Sequence, residues 1–232
     1  MVKLNDISPF NSLHLPLQHF NFSPSWVLKC DVRQFFASID HQILQNMLVD
    51  EFGEKENGIH WLLGQVIDSF HTDASIGKGL PLGNLTSQLL ANVYMNKFDH
   101  YVKRALAIRY YIRYADDFVI LHRNKAYLQN LVPHISDFLE RELKLELHPN
   151  KLFIKTLASG VDFLGWVHFP THRVLRTTTK RRMLRKIQQR INSADGLQVK
   201  QSLASYEGML IHGNAYHLRT FLKNISGKDI PS

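Results

Sequence analysis

Two runs rich in β-branched and aromatic residues, Tyr111-Ile112-Arg113-Tyr114 and Phe118-Val119-Ile120-Leu121, are separated only by Ala115-Asp116-Asp117. The pattern reads as a hairpin with acids at its bend. Neighbouring side chains on an extended chain point to opposite faces, so only a tight turn lets Asp116 and Asp117 reach one point in space. A divalent cation would give a reason for that convergence. Carboxylate oxygens suit Mg²⁺, which keeps several waters and takes one or two carboxylates together with phosphates. An ordinary polar turn is the alternative, since Asp is a preferred turn residue.

A chain of 232 residues can bury a sizeable core around such a hairpin. No run of about 18 apolar residues occurs, so no transmembrane helix and no membrane partner are expected. Met1 to Asp6 lacks the apolar core of a secretory signal. Cys30 is the single cysteine, which excludes internal disulfides and a cysteine metal cage and fits a reducing cytoplasm. The 13 histidines form no His-x-x-x-His pair backed by acids, so they read as surface or packing residues rather than zinc ligands. A formal net charge of +8 leans toward a polyanionic partner. Between Arg173 and Arg190 stand eight cations and no acid, Lys180, Arg181 and Arg185 among them. That is either a phosphate-contacting face or a solvated helix surface.

In chain order, residues 1–25, with Pro9, Pro16 and Pro24, read as an irregular lead-in. Trp26 to Asp31 is a mostly apolar run suited to a buried strand ending in an acid. Asp40 stands where a helix N-cap would be, ahead of Ile43, Leu44, Met47 and Leu48, with His41 as a solvent-facing first-turn residue. Trp61, Leu62, Leu63, Val66, Ile67 and Phe70 read as a helix contributing to the core. Gly77 to Gln88 is a glycine-bearing loop entering a helix that Thr86 or Ser87 can cap. Glycine permits close backbone approach to a nucleotide, although this loop has neither Walker nor dinucleotide spacing. Leu128 to Leu139 is an amphipathic helix, Leu143 to Leu147 starts an alternating strand, and Val161 to Val167 is a further strand pattern. The expected fold is α+β: a split βαβ with an antiparallel sheet and helices on one face, residues 26–172, then a basic helical region, 173–232.

Three blocks in this order resemble successive palm motifs of reverse transcriptases: Asp31-Val32-Arg33-Gln34-Phe35-Phe36, Gly79-Leu80-Pro81-Leu82-Gly83 with Ser87-Gln88, and Tyr114-Ala115-Asp116-Asp117. The middle block is most similar to the bacterial group II intron-like set, especially the enzymes of diversity-generating retroelements. Leu147 to Lys151 and Phe163 to Trp166 resemble the next two motifs, the latter the primer grip. Ser205 to Gly208 and His212 to Tyr216 resemble the helical thumb. The resemblance runs from about Trp26 to Arg219.

It implies a right-hand polymerase palm and thumb, and an RNA-directed DNA polymerase using two Mg²⁺ ions, with Mn²⁺ as substitute. The partners would be an RNA template, a DNA or RNA primer, and dNTPs. Asp31 and Asp116 would bridge the metals with Asp117 beside them, and Lys151 would protonate or screen the departing pyrophosphate. Val32, Phe36, Leu82 and Gly83 would contact the nucleotide, Phe36 excluding a 2′-hydroxyl by bulk. Leu82 replaces the usual Gln, which implies relaxed base selection. Phe163, Leu164, Gly165, Lys180, Arg181 and Arg185 would hold primer and template. Relatives carry roughly 80–100 further residues ahead of the first acid, the size of a small domain, forming the fingers. Only 30 residues precede Asp31 here. Three alternatives stay open: a truncated product, an excerpt, or a protein completed by another polypeptide. A nucleic-acid-binding remnant without turnover is the alternative function.

Overall fold

A computed structural model of the chain describes residues 25–52, 57–70, 76–193 and 196–226. Two compact units divide between Lys155 and Thr156. Of the lead-in, only Ser25 lies within the described residues.

The first unit is built on a four-stranded sheet of order β2-β3-β1-β4, with β1 at Trp26–Asp31, β2 at Tyr111–Tyr114, β3 at Asp117–His122 and β4 at Phe153–Thr156. The two central strands are apolar almost throughout because both of their faces are covered. They run antiparallel, pairing Leu28 with Ile120, Cys30 with Phe118, and Asp31 with Asp117. Directly opposed residues share a face of the sheet. Leu28, Cys30, Phe118 and Ile120 therefore face one way, into the main core cluster. Lys29, Asp31 and Asp117 face the other way.

The described residues of this unit also form α1 (Phe35–Ser38), α2 (His41–Phe52), α3 (Asn57–Asp68), α4 (Leu85–His100), a π-helical turn (Tyr101–Ala105), α5 (Lys125–Leu143) and a 3-10 turn (Pro149–Lys151). Tyr94 and Phe98 of α4 and Leu128, Ile135 and Leu139 of α5 are fully buried in the same cluster. Each such side chain contributes roughly 1.5–3 kcal/mol. Asp40 caps α2 as expected, its Oδ1 accepting from the Ile43 N–H at 3.2 Å.

Four local expectations are corrected. Leu143 to Leu147 does not start a strand: α5 continues to Leu143, Lys144 closes it in the left-handed conformation (φ 50°), and Leu147 makes an isolated bridge with Val32. Leu143, Leu145 and Leu147 alternate because all three are buried; of the three only Leu147 pairs, through that bridge. Of the apolar residues on α3, Ile67 is fully buried, whereas Trp61 and Leu62 are exposed, since packing on α2 covers a single stripe. Neither Thr86 nor Ser87 caps α4; Asn84 holds the cap position without a side-chain bond. His41 is buried, its Nε2–H donating to the Gly79 carbonyl at 2.7 Å.

The second unit carries the antiparallel sheet β5 (Val161–Phe163), β6 (Trp166–His168) and β7 (Arg173–Leu175), then α6 (Thr177–Asn192), α7 (Gly196–Leu210) and α8 (Tyr216–Ser226). Leu164 and Gly165 form the two-residue β5–β6 turn, both at positive φ (52° and 80°), the combination that suits a right-twisted hairpin. Trp166 and Leu175 enter the same core as Met183, Ile187, Leu203 and Leu222 of the helices. That shared core groups the small sheet with the helices, so the boundary expected near Arg173 falls inside this unit.

Candidate active site

Asp31 ends β1, Asp117 opens β3 directly across from it, and the Ala115-Asp116 turn joins β2 to β3. The turn is fastened to the neighbouring chain: the Val32 N–H donates to the Asp116 carbonyl at 3.1 Å. Next to it, the His148 N–H donates to the Asp31 carbonyl at 2.8 Å, and the Lys151 N–H donates to the His148 carbonyl at 3.1 Å. The structure therefore brings Asp31, Asp116, Asp117 and Lys151 to one corner of the sheet, on the face turned away from the helical core.

Charge is nearly but not fully balanced there. Lys151 Nζ lies 2.9 Å from Asp31 Oδ1, and Lys29 Nζ lies 2.9 Å from Asp117 Oδ2. Three carboxylates face two ammonium groups. Burial pushes the Asp116 carboxyl above its ordinary value; its own backbone N–H opposes the rise, and the charge on Asp31 adds to it. Asp117 is raised too, by burial against the pull of Lys29, with Asp31 and Asp116 reinforcing the shift. The hydrogen bond to Asp31 raises Lys151 and keeps its ammonium protonated. Beneath the site, burial and the Asp117 charge push the Cys30 thiol up to about 12, so it stays a neutral packing group.

Asp117 Oδ1 is buried with no hydrogen-bond partner. A buried carboxylate oxygen left without a donor is costly, and a cation would satisfy it. No three His, Cys, Asp or Glu side chains among the described residues form a ready-made ion cage. Magnesium does not need one, because waters and substrate phosphates complete its shell. The donor set therefore fits a hard divalent ion that takes its remaining ligands from outside the protein.

A second set of contacts ties the glycine-bearing loop to the segment after β1. The Leu80 N–H donates to the Phe36 carbonyl (2.8 Å), the Gly79 N–H to the Ile39 carbonyl (2.8 Å), and the His41 N–H to the Gly77 carbonyl (3.0 Å). Phe35 is buried at an edge-to-face contact with Phe36, which stays partly open. Beyond the clasp, Leu82 is 79% exposed and Gly83 takes φ 92°. Val32 departs from expectation. Its side chain is 1% exposed in the core and its N–H is engaged by Asp116, so it fixes the acids and offers a nucleotide no side chain. Phe163 is likewise buried, within the second unit, leaving Leu164 and Gly165 as the accessible part of that block. Lys180, Arg181 and Arg185 are exposed on α6.

Sequence reasoning missed Lys29, His41 and the Asp99–Arg113 pair. Lys29 was legible, because two residues before Asp31 on a strand is the same face. The other two depend on partners far away in the chain.

The family model for reverse transcriptase (RNA-dependent DNA polymerase) matches residues 7–168, more than half of the chain. This chain belongs to the reverse transcriptase family. The match begins ahead of Trp26, where the motif resemblance starts. Protein YkfC of Escherichia coli K12 is 26% identical over 191 residues, covering 67% of this chain and 48% of that protein. A Saccharomyces cerevisiae protein named for COX1/OXI3 intron 2 is 22% identical over 202 residues, covering 61% of this chain and 23% of its own length. The chain thus spans about half or less of the curated relatives it matches, which are of bacterial and intron type. Among solved structures, telomerase from Candida albicans in complex with a telomeric RNA fragment superposes with a TM-score of 0.54 at 13% identity, covering 73% of this chain and 32% of that one. Apo telomerase from Candida tropicalis gives 0.53 at 13%, covering 67% and 33%. The fold of this family member is α+β, with an antiparallel polymerase palm and a helical thumb. No helix among the described residues is long and apolar enough to cross a membrane.

Proposed function

We propose that this chain is the palm and thumb of an RNA-directed DNA polymerase that extends a primer 3′-hydroxyl on an RNA template with dNTPs. The observation that carries the reading is the meeting of Asp31, Asp116 and Asp117 at one sheet corner, with a buried Asp117 oxygen left unsatisfied. Asp31 and Asp116 would hold Mg²⁺, or Mn²⁺ in its place, with Asp117 adjacent. When bound, a pair of such ions activates the primer hydroxyl and neutralises the triphosphate.

The remaining roles belong to the chain itself. Lys151 keeps its proton on Nζ and holds Asp31 in place, so it meets the departing pyrophosphate as a cation. Phe36, anchored by the Leu80 contact, presents its ring where a sugar 2′-hydroxyl would have to fit. Leu82 gives an apolar surface to the base, and the positive φ of Gly83 brings backbone close to the nucleotide. Lys180, Arg181 and Arg185 contact duplex phosphates, and the Leu164-Gly165 turn supports the primer. The Leu80 to Gln88 block favours the diversity-generating retroelement type, and the single buried cysteine favours the cytoplasm.

Primer extension on an RNA template tests this, comparing wild type with Asp116→Ala. The expected result is incorporation of dNTPs over NTPs by wild type and its loss in the variant. Salt-sensitive duplex binding with no incorporation at any Mg²⁺ or Mn²⁺ level would select the binding-only alternative.

A further inference from the structure

We propose that Arg113 is a positioning residue for the acid-bearing turn: it clamps the Ala115 carbonyl to α4 and so holds Asp116 and Asp117 in place. The inference deepens the polymerase reading and rests on it. Arg113 lies on β2 opposite Phe118, hence on the face of the sheet that carries the helices. Its side chain is 8% exposed. Nε donates to Asp99 Oδ1 at 2.8 Å and Nη2 to Asp99 Oδ2 at 2.5 Å, a two-pronged fork onto α4. The Tyr111 hydroxyl donates to Asp99 Oδ1 at 2.6 Å, fixing the carboxylate from the same strand. The remaining Nη1 donates to the Ala115 carbonyl at 3.0 Å and reaches Asn92 Oδ1, also on α4, at 3.4 Å.

Ala115 needs that support. It sits at φ 51°, in the left-handed region that a residue with a Cβ adopts only when its surroundings impose it. Its carbonyl belongs to the peptide plane that leads into Asp116, so holding the carbonyl orients both acids. A lysine at 113 would carry the charge but could not make the fork and the third bond together.

The experiment compares wild type, Arg113→Lys, Ala115→Gly and the double variant by Mn²⁺ binding (electron paramagnetic resonance), primer-extension kinetics and thermal melting. Arg113→Lys should melt cooperatively, bind Mn²⁺ about tenfold more weakly, and lose about tenfold or more in kcat with little change in KM for dNTP, as slight misplacement of reacting groups does. Ala115→Gly alone should be near neutral. In the lysine background it should recover much of both losses, because glycine adopts the left-handed conformation without a clamp. A purely structural role would lower the melting temperature without that recovery. Should Arg113→Lys fail to fold, Asp99→Asn removes the same fork's charge and is read the same way. Wild-type Mn²⁺ affinity and kcat in Arg113→Lys, or losses that Ala115→Gly does not recover, would overturn the proposal. If wild type binds Mn²⁺ but extends no primer, the polymerase reading falls, while the binding pattern still decides the role of Arg113. If wild type neither binds nor extends, both fall.

Discussion

Asp40 shows how one side chain can join three distant stretches of the first unit. Its Oδ1 caps α2, its Oδ2 takes the Lys144 ammonium at 2.6 Å, and its backbone N–H donates to the Tyr94 hydroxyl at 3.3 Å, which in turn donates to the Leu143 carbonyl at 2.7 Å. Burial pushes the Asp40 carboxyl up, but the Lys144 and Ile43 hydrogen bonds outweigh it and hold the carboxyl below its ordinary value. A depressed carboxylate stabilises the fold above its unfolded pKa of about 4 and loses that contribution as pH falls through the folded value. Asp40→Ala should cost about 1–2 kcal/mol near neutrality by urea unfolding. Asp40→Asn, which keeps the cap, should cost less, because Lys144 is half exposed and its charge is screened. The cost of either variant should shrink below pH 4. At the nucleotide side, Leu82→Gln should lower misincorporation on a heteropolymeric template, and unchanged fidelity would count against the role given to Leu82. The paired acids and Asp31 were legible because period-two alternation and turn chemistry are local, whereas Lys151 followed only from the motif resemblance. His41 was not, since the loop that buries it returns from 38 residues away.

Among the elements, the β5–β6 hairpin and its contact with the α7–α8 connection give the sharpest packing test. Gly213 lies against the Trp166 ring so closely that a Cβ there would collide with it, while Arg173 stacks over the same ring, 5.3 Å from its centroid, and donates to the His212 carbonyl. Gly213→Ala should destabilise the second unit by roughly 1–3 kcal/mol, the usual cost of overpacking. Gly208, in the last turn of α7 with open space around its Cβ position, is the control: Gly208→Ala should raise stability by up to about 0.5–1 kcal/mol. Thermal melting of both variants reads the contrast. Most helices and the central strands were legible from their periodicity. What failed was Leu143 to Leu147, where burial of alternate leucines imitates a strand, and α3, where apolar spacing alone says nothing of how much surface a neighbour covers.

For the molecule as a whole, the charge of +8 and the acid-free cation cluster point to binding governed by phosphate. Replacing Lys180, Arg181 and Arg185 with Ala should weaken binding to an RNA–DNA duplex and flatten the salt dependence of log K by about 2–3, roughly one for each lost contact. An unchanged slope would leave these side chains as a solvated face. The order of motifs gave the family, because five spaced blocks constrain far more than one acid pair does. The boundary between the units was misplaced, since the composition changes at Arg173 while the shared core already includes Trp166 from β6.

Central to this account is that Asp31 and Asp116, 85 residues apart in sequence, act as one site. A double-mutant cycle on the single-turnover rate of RNA-templated extension with Mn²⁺ tests it, using Asp31→Asn, Asp116→Asn and the pair. The account predicts that either single change removes most of the rate, and that the double adds less than about tenfold to the worse of them, as groups acting as a unit do. Losses that multiply in the double variant, or singles that match wild type, would contradict it.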